Sequence, residues 1–153
     1  MAIRNIRIDG DPILRKTSRK VDEVTDRIRV LLDDMAETMY AAEGVGLAAP
    51  QINESLQLVV LDDGNGLIEL INPEILEHSD EIVDGVEGCL SVPGYYGHVP
   101  RYESIKVKAL NRRNKVVYYE PTGFLARIFQ HEIDHLHGVL FIEKAEDLQK
   151  VEQ

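Results

Sequence analysis

The stretch TGFLARIFQHEIDHLHG, residues 122–138, decides the fold because it predicts a helix that is buried on more than one side. Thr122 stands at the N-cap position, the helix is predicted from Gly123 to His137, and Gly138 follows its end. The apolar positions of this helix are Phe124, Leu125, Ile128, Ile133 and Leu136. They lie on more than one face, so we expect the helix to be largely enclosed by other elements.

The rest of the chain supplies one more helix and a block of strands. Apolar residues at helical spacing predict a helix over residues 24–42, with Thr25 or Asp22 as its cap. Short β-type runs follow at residues 56–61, 67–71, 105–110 and 115–119, with a hairpin loop at 111–114. This order predicts an α+β fold, with antiparallel or mixed β-strands packed around the buried C-terminal helix and an N-terminal helix. Residues 143–153 are predicted to be a solvated short helix or a frayed end.

The composition argues against several classes of protein. The 17 basic and 27 acidic residues give a net charge of −10, which is unfavourable for broad binding to nucleic acid. No apolar run approaches the ~20 residues that span a membrane, and the N-terminal sequence resembles neither a signal nor a transit segment. A single cysteine, Cys89, excludes an internal disulfide bond. We expect one cytoplasmic domain, residues 1–153, without membrane or nucleic-acid partners.

The glycine-rich stretch GVGLAAPQ, residues 44–51, fits the G-x-G-x-x-A pattern of a dinucleotide-binding loop. Such a loop follows a strand and opens a helix, so that its amides face the pyrophosphate. Here the glycines follow a predicted helix, and Pro50 disfavours a helix that begins at Ala49. A nucleotide-binding module is therefore a minor alternative, and the glycines need another explanation.

The predicted C-terminal helix carries an H-E-x-x-H motif at residues 131–135. Positions i and i+4 of a helix lie about 40° apart in azimuth and ~6 Å apart in rise, so His131 and His135 can converge on one metal ion. Glu132 would reach a water at that ion without being a ligand itself. The alternative is a pair of surface or capping histidines near the helix end, which is also our interpretation of His137.

A catalytic metal site usually has three protein ligands, and the third can be sought in the sequence. The long zincin motif is matched as far as Gly138, but its final position holds Phe141. Glu143 and Glu146 are formal candidates in the charged tail. Cys89 is the strongest candidate, although a lone cysteine is often only a small buried hydrophobe. The residues around it, EGCLSVPG (87–94), are typical of a turn. The isolated His78 and His98 lie in loop-like sequence and are interpreted as surface residues.

Three segments thus stand in order along the chain: GVGLAAPQ at residues 44–51, EGCLS at 87–91 and QHEIDH at 130–135. Together they resemble the three motifs of the peptide deformylases. The segments DGDPILRKTSRKV (9–21) and TGFLARIFQHEIDHLHGVLF (122–141) are also similar to that family. The resemblance implies a metal-dependent hydrolase that removes the N-formyl group from the formylmethionine of newly synthesised proteins and releases formate.

The resemblance also implies the chemistry of the site. Cys89, His131 and His135 would be the metal ligands, and Glu132 would be the general base and acid. Iron(II) is the implied ion, with zinc, nickel or cobalt as substitutes, although a Cys-His-His set also suits zinc by ordinary affinity. Nascent formylmethionyl peptides would be the partners, with a possible transient contact to the ribosome.

The same resemblance extends to the residues around the reacting group. Gln51 and the backbone amide of Leu90 would hold the oxyanion, and Gly46 would bring main-chain groups close to the substrate. A side chain at Gly46 would stand where the peptide must lie. The loop Gly94–Gly97 lacks the basic residue that some family members place there.

An extended peptide would add as a strand beside Gly44–Leu47. Val45, Leu125 and Ile128 are predicted walls of a pocket for the methionine side chain, with core packing as the alternative for each. Glu87 and Arg101 are predicted to form an ion pair near the site.

Two alternatives to a deformylase remain open. The first is a small metallopeptidase that cleaves ordinary peptide bonds with Glu132. The second is a module in which the metal is structural, although structural zinc normally has four protein ligands.

Overall fold

The computed structural model describes residues 2–151 as two helices, eight strands and three short 3-10 turns. The helices are α1 (Asp26–Ala41) and α2 (Gly123–Leu136). The strands are β1 (Gly46–Ala48), β2 (Leu58–Leu61), β3 (Ile68–His78), β4 (Ile82–Cys89), β5 (Val92–Tyr102), β6 (Ile105–Leu110), β7 (Val116–Tyr119) and β8 (Gln149–Lys150). The 3-10 turns are Pro12–Arg15, Ala49–Ile52 and Phe141–Glu143. The domain prediction for residues 1–153 includes Met1, Glu152 and Gln153, which lie outside the described residues.

The strands form two antiparallel sheets, and the predicted α+β class is confirmed. One sheet has five strands in the order β1-β2-β3-β6-β7, and the other has three in the order β4-β5-β8. β1 and β4 are therefore edge strands of different sheets. Each has one side whose backbone groups are not paired with a neighbouring strand.

The five-stranded sheet lies between the two helices. Successive side chains of a strand point to opposite faces, and β2 shows this clearly. Leu58 and Val60 pack in the cluster that contains the apolar face of α1, whereas Val59 and Leu61 pack in the cluster that contains α2. The inner side chains of α2 include Phe129, which is fully buried. The C-terminal helix is thus enclosed, as its sequence pattern predicts.

The helix boundaries agree with the sequence within two residues. The Thr25 side chain accepts a hydrogen bond from the Ile28 amide at 3.4 Å, which confirms one of the two predicted caps of α1. Thr122 precedes α2, but its side chain makes no capping hydrogen bond. Within residues 2–151, no helix is long and apolar enough to cross a membrane.

Two parts of the sequence prediction are wrong. The sequence prediction lacks both the long β4–β5 hairpin and the extension of β3 beyond residue 71. His78 and His98 therefore lie in strands, at the end of β3 and within β5, rather than in loops. The tail contains the short strand β8, which pairs with Tyr95 and Tyr96 of β5 rather than forming a helix or a frayed end. The last two residues of that tail prediction, 152–153, lie outside the described part of the chain.

Candidate metal centre and catalytic cleft

A cavity of about 460 Å³ lies where β1, β4 and α2 meet. Its lining brings together residues from all three sequence motifs, although these are far apart in the chain. The predicted residues that line it are Gly44, Val45, Gly46, Gln51, Cys89, Leu90, Ile128, His131 and Glu132. Two predicted residues are not part of the lining: His135 is fully buried behind it, and Leu125 packs against the core on the α2 side of the large sheet, which agrees with the core-packing alternative for Leu125.

Cys89, His131 and His135 form the one cluster among the described residues whose side chains could hold a metal ion together. Cys89 is the last residue of β4, and the two histidines stand one turn apart on α2. One ligand atom from each lies within 4.8 Å of the others, and Cys89 Sγ is 3.3 Å from His135 Nε2. A tetrahedral ion would separate a sulfur and a nitrogen ligand by ~3.6 Å. The donor set and its spacing therefore fit a divalent metal ion.

The Glu87 carboxylate fixes the orientation of His131. His131 Nδ1 lies 2.9 Å from Glu87 Oε1, which leaves Nε2 as the ring nitrogen available to a metal ion. Arg101 donates to both oxygens of Glu87, at 2.9 Å each, so the predicted ion pair is confirmed. Arg127 donates to Oε2 at 2.7 Å. Burial alone would raise the pKa of Glu87, but the hydrogen bonds from Arg101 and His131 outweigh it and lower the pKa to about 2.

Glu132 is a buried carboxylate on α2, adjacent in sequence to His131. Its side chain is only 4% exposed, and its Oε1 has no hydrogen-bond partner within residues 2–151. Burial raises its pKa to about 7, against the opposing charge of His131. A carboxyl group with a pKa near neutrality can both accept and return a proton under ordinary conditions.

The structure changes the explanation of Gly46. A Cβ atom on this residue would overlap the Glu132 carboxylate, with Cδ and Cγ both at 2.9 Å. The space that a Gly46 side chain would take is therefore occupied by Glu132, not kept free for a peptide. The expectation that a substrate lies there is corrected on this point, because a side chain at Gly46 would collide with the Glu132 carboxylate.

The His135 ring is available in the neutral form that binds metals. Burial lowers its pKa well below the usual value, and the charge of His131 adds to this effect. Its Nε2 faces Cys89, whereas its Nδ1 is buried without a hydrogen-bond partner in the described residues.

Gln51 lies beside the cysteine, and its amide is fixed at both ends. Its Oε1 accepts a hydrogen bond from the Ala48 amide at 2.9 Å, and its Nε2 donates to Ser91 Oγ at 3.0 Å. The same Nε2 is 3.7 Å from Cys89 Sγ. Leu90 is the first residue of the two-residue turn between β4 and β5, directly after Cys89. Both predicted oxyanion donors therefore lie next to the thiol.

The open side of β1 faces the cavity. The Val45 carbonyl accepts a hydrogen bond from the Asp62 amide at 2.9 Å, so Val45 directs its backbone groups toward β2. Because backbone directions alternate along a strand, the N–H and C=O of Gly46 point to the unpaired side. Val45 itself is 43% exposed at the mouth of the cavity. Gly44 contacts the Leu90 side chain, which a Cβ would approach to 2.7 Å.

Arg127 is a cavity residue that the sequence interpretation missed. It is buried, and its guanidinium reaches Glu87 and three backbone carbonyls of β4 and β5. The signal was present, because Arg127 stands four residues before His131 and so on the same face of the helix. Its function could not be read without knowing that β4 passes that face.

A thiol and two helix-borne imidazoles around a buried glutamate, at the end of an open cleft, define a metal-dependent hydrolase. The polypeptide deformylase family model matches residues 3–151, and the chain belongs to that family. The peptide deformylase of Alkaliphilus metalliredigens is 57% identical over 144 residues, which cover 94% of this chain and 97% of the relative. That of Carboxydothermus hydrogenoformans is 53% identical and covers 97% of each chain.

Solved structures agree with the sequence comparison. Peptide deformylase from Thermotoga maritima superimposes with a TM-score of 0.93 at 45% identity, covering 95% of this chain and 99% of that one. The Synechococcus elongatus enzyme, solved in complex with actinonin, has a TM-score of 0.92 at 38% identity and covers 94% and 79%. This chain is thus an enzyme of protein biosynthesis that removes the N-formyl group from nascent peptides.

Proposed function

We propose that Cys89, His131 and His135 hold one divalent metal ion, and that Glu132 beside it carries out deformylation of N-terminal formylmethionine. The observation that carries this proposal is the convergence of the three ligand atoms within 4.8 Å next to a buried carboxylate. When bound, such an ion supplies Lewis-acid chemistry: it makes a water acidic enough to act as a nucleophile near neutral pH.

Glu132 moves the proton in this reaction. Its carboxylate accepts the proton of the attacking water and later delivers it to the amine that leaves as formate is released. The pKa of about 7 supports both steps, because the group exchanges a proton readily at neutral pH. Gly46 supports the same function by leaving room for the carboxylate.

Gln51 and Leu90 hold the charge that develops on the formyl oxygen. The Gln51 amide is already oriented by Ala48 and Ser91, so little reorganisation is needed when the oxygen becomes negative. The Leu90 N–H is the second donor, in the turn that follows Cys89. One donor of this type contributes about 3 kcal/mol to the transition state.

The nascent peptide adds to the open side of β1. The N–H and C=O of Gly46 are the backbone groups that pair with it, in the manner of an added strand. The methionine side chain then enters the cavity between Val45 and Ile128, which both line it. Gly44 keeps the approach narrow by its contact with Leu90.

Iron(II) is the ion that the deformylase motifs suggest, and zinc, nickel and cobalt are the substitutes. A thiolate with two imidazoles accepts each of these ions, so the donor set is compatible with all of them. We further propose that the enzyme works in the cytoplasm, on chains still at or near the ribosome, because formylated N-termini arise there. Actinonin, which is bound by the Synechococcus enzyme, is a suitable ligand to test at this cleft.

The test combines metal analysis with a substrate comparison. Protein prepared without oxygen is analysed for bound metal and then incubated with formylmethionyl peptides and with the same peptides lacking the formyl group. Formate release without internal cleavage is the expected result, and Cys89→Ala should abolish both metal retention and turnover. Cleavage of the unformylated peptides, or formate release undiminished in Cys89→Ala, would overturn the proposal.

A further inference from the structure

The candidate metal ligands come from two elements that belong to different parts of the fold. Cys89 ends β4, an edge strand of the three-stranded sheet, whereas His131 and His135 lie on α2, which packs against the five-stranded sheet. A metal site of fixed geometry needs these two elements to be held at a fixed separation. Some contact must therefore connect the backbone of β4 to α2.

Arg127 makes that contact. Its Nη2 donates to the Val83 carbonyl at 2.7 Å, and its Nη1 donates to the Val99 carbonyl at 2.7 Å and reaches the Gly85 carbonyl at 3.4 Å. Nη1 also donates to Glu87 Oε2 at 2.7 Å. One planar guanidinium thus binds both strands of the β4–β5 hairpin and the carboxylate that orients His131.

Position along the helix strengthens this interpretation. Arg127, His131 and His135 are spaced four residues apart, so they lie in one row on the face of α2 that is directed toward β4. Arg101 also binds Glu87, but its partners are the side chains of Glu87 and Asp134. Arg127 therefore differs from Arg101 in that its guanidinium donates hydrogen bonds to backbone carbonyls of β4, the strand that carries Cys89.

Gly85 is shaped to receive this guanidinium. A Cβ on Gly85 would lie 2.8 Å from Arg127 Cζ and 2.9 Å from Nε and Nη2. Such contacts are far shorter than van der Waals distance. The Arg127 guanidinium can therefore occupy its position only because residue 85 has no side chain. Gly85 precedes Cys89 by four residues, as Arg127 precedes His131.

We propose that Arg127 is a positioning residue that fastens β4 to α2 and thereby sets Cys89 at bonding distance from the two histidines. The proposal rests on the metal-binding role that we assign to these three residues. It predicts that the loss of the guanidinium loosens the ligand set even though no ligand is changed. Supporting residues of metal sites typically change metal affinity by about 10- to 100-fold.

The experiment uses Co²⁺ as the probe, because its visible absorption reports the ligand geometry and the cysteine–cobalt charge transfer. Wild type, Arg127→Met and Arg127→Lys are titrated with Co²⁺ against a competing chelator, with circular dichroism to confirm folding. Arg112→Met is the matched control, because Arg112 also joins carboxylates on two elements, Asp33 and Glu69, but does not line the cleft. Both Arg127 variants should bind Co²⁺ more weakly than wild type, and Arg127→Met should lose about 10- to 100-fold in affinity. Their Co²⁺ spectra should also differ from that of wild type. Arg112→Met should match wild type in affinity and in spectrum.

A second measurement separates positioning from general packing. Gly85→Ala should weaken Co²⁺ binding because the new methyl group displaces the guanidinium. In the double variant Gly85→Ala/Arg127→Met, Co²⁺ binding should be little weaker than in Arg127→Met alone, because the space of the guanidinium is then free. Wild-type affinity and spectrum in Arg127→Met would overturn the proposal. If Arg127→Met does not fold, wild-type Co²⁺ binding by Arg127→Lys would overturn it equally. Failure of the wild type to release formate would instead count against the proposed function, since Co²⁺ binding is measured without substrate.

Discussion

Gly46 and Glu132 lie so close together that a Cβ atom on the glycine would overlap the carboxylate. The contact joins the first sequence motif to the third. It means that a residue 86 positions away in the chain determines where the proposed general base can lie.

Gly46→Ala should therefore damage catalysis through Glu132. The added methyl group must displace the carboxylate from its present position, and a displacement of about 1 Å can cost about 100-fold in rate. We expect kcat for formate release to fall by that order, while metal content stays near that of wild type. Glu77→Ala is the control, since Glu77 is exposed on β3 and does not line the cleft. Undiminished turnover in Gly46→Ala would show that the contact has no catalytic consequence.

The second prediction concerns the proton carried by Glu132. Glu132→Gln keeps the shape of the side chain but cannot accept a proton, so turnover should fall by about 100- to 10,000-fold with metal retained. Because the base acts when deprotonated, wild-type kcat should rise with pH and then level off. Burial raises the pKa of Glu132 to about 7 and the charge of a bound cation lowers it, so the plateau should begin at or below pH 7.

Steady-state rates of formate release between pH 5 and pH 9, together with metal analysis, check both statements. Glu120→Gln is the matched control, because Glu120 is exposed directly after β7 and does not line the cleft. A Glu132→Gln enzyme with wild-type turnover would remove Glu132 from the mechanism.

The third prediction concerns how the Glu87 carboxylate, which contacts His131, affects the stability of the protein in acid. The pKa of Glu87 is lowered from 4.5 to about 2 in the folded protein, so the carboxylate stabilises the fold above pH 4.5. That stabilisation is lost progressively as the pH falls from 4.5 toward 2. Metal-free wild type should therefore have a higher melting temperature than Glu87→Gln near neutral pH. The difference should shrink on acidification, and a difference that is independent of pH would contradict the ionic role.

The metal centre was predictable from sequence because its strongest signals are local. His131, Glu132 and His135 stand within one turn of a single helix, and helical geometry alone brings them together. Cys89 needed more than local geometry: its chemistry made it a candidate, and the order of three motifs selected it. The position of Gly46 was predicted, but its reason was not, since its contact with Glu132 depends on how β1 packs on α2.

The β4–β5 hairpin was missed for a physical reason. Its strands contain several glycines and prolines, including Gly85, Gly88, Pro93 and Gly97, which are depleted in ordinary strands. The three glycines leave room for side chains from elsewhere in the chain: Gly85 for Arg127, Gly88 for the Tyr96 ring and Gly97 for Ala145. Such long-range contacts cannot be seen in residue propensities, and for the same reason the sequence left open whether Leu125 lines the cavity or packs in the core.

The fourth prediction concerns the tail strand β8, which His98 and Asp147 connect to β5. The Asp147 carboxylate accepts a hydrogen bond from the His98 amide at 2.7 Å and lies 2.7 Å from His98 Nδ1. The hydrogen bond to Asp147 raises the pKa of His98, with smaller contributions from the charges of Asp84 and Glu146. Hydrogen bonds from the His98 backbone and side chain lower the pKa of Asp147.

The signs of the two shifts define a pH window for the tail. The raised pKa of His98 gives stability that is present below its ordinary value of 6.5 and is lost as the pH rises through the folded value. The lowered pKa of Asp147 gives stability that is present above 3.8 and is lost as the pH falls through the folded value. Both groups are exposed, so the effect should be local to residues 145–151 rather than global.

Limited proteolysis should therefore cut the tail faster at pH 8.5 than at pH 6, after correction for the activity of the protease. In Asp147→Asn the protease should cut the tail at similar rates at the two pH values, because His98 then lacks its anionic partner. Lys144→Gln is the control, since Lys144 pairs with Asp134 and not with the His98 site. If wild type and Asp147→Asn show the same dependence on pH, the His98–Asp147 pair does not hold β8 against β5.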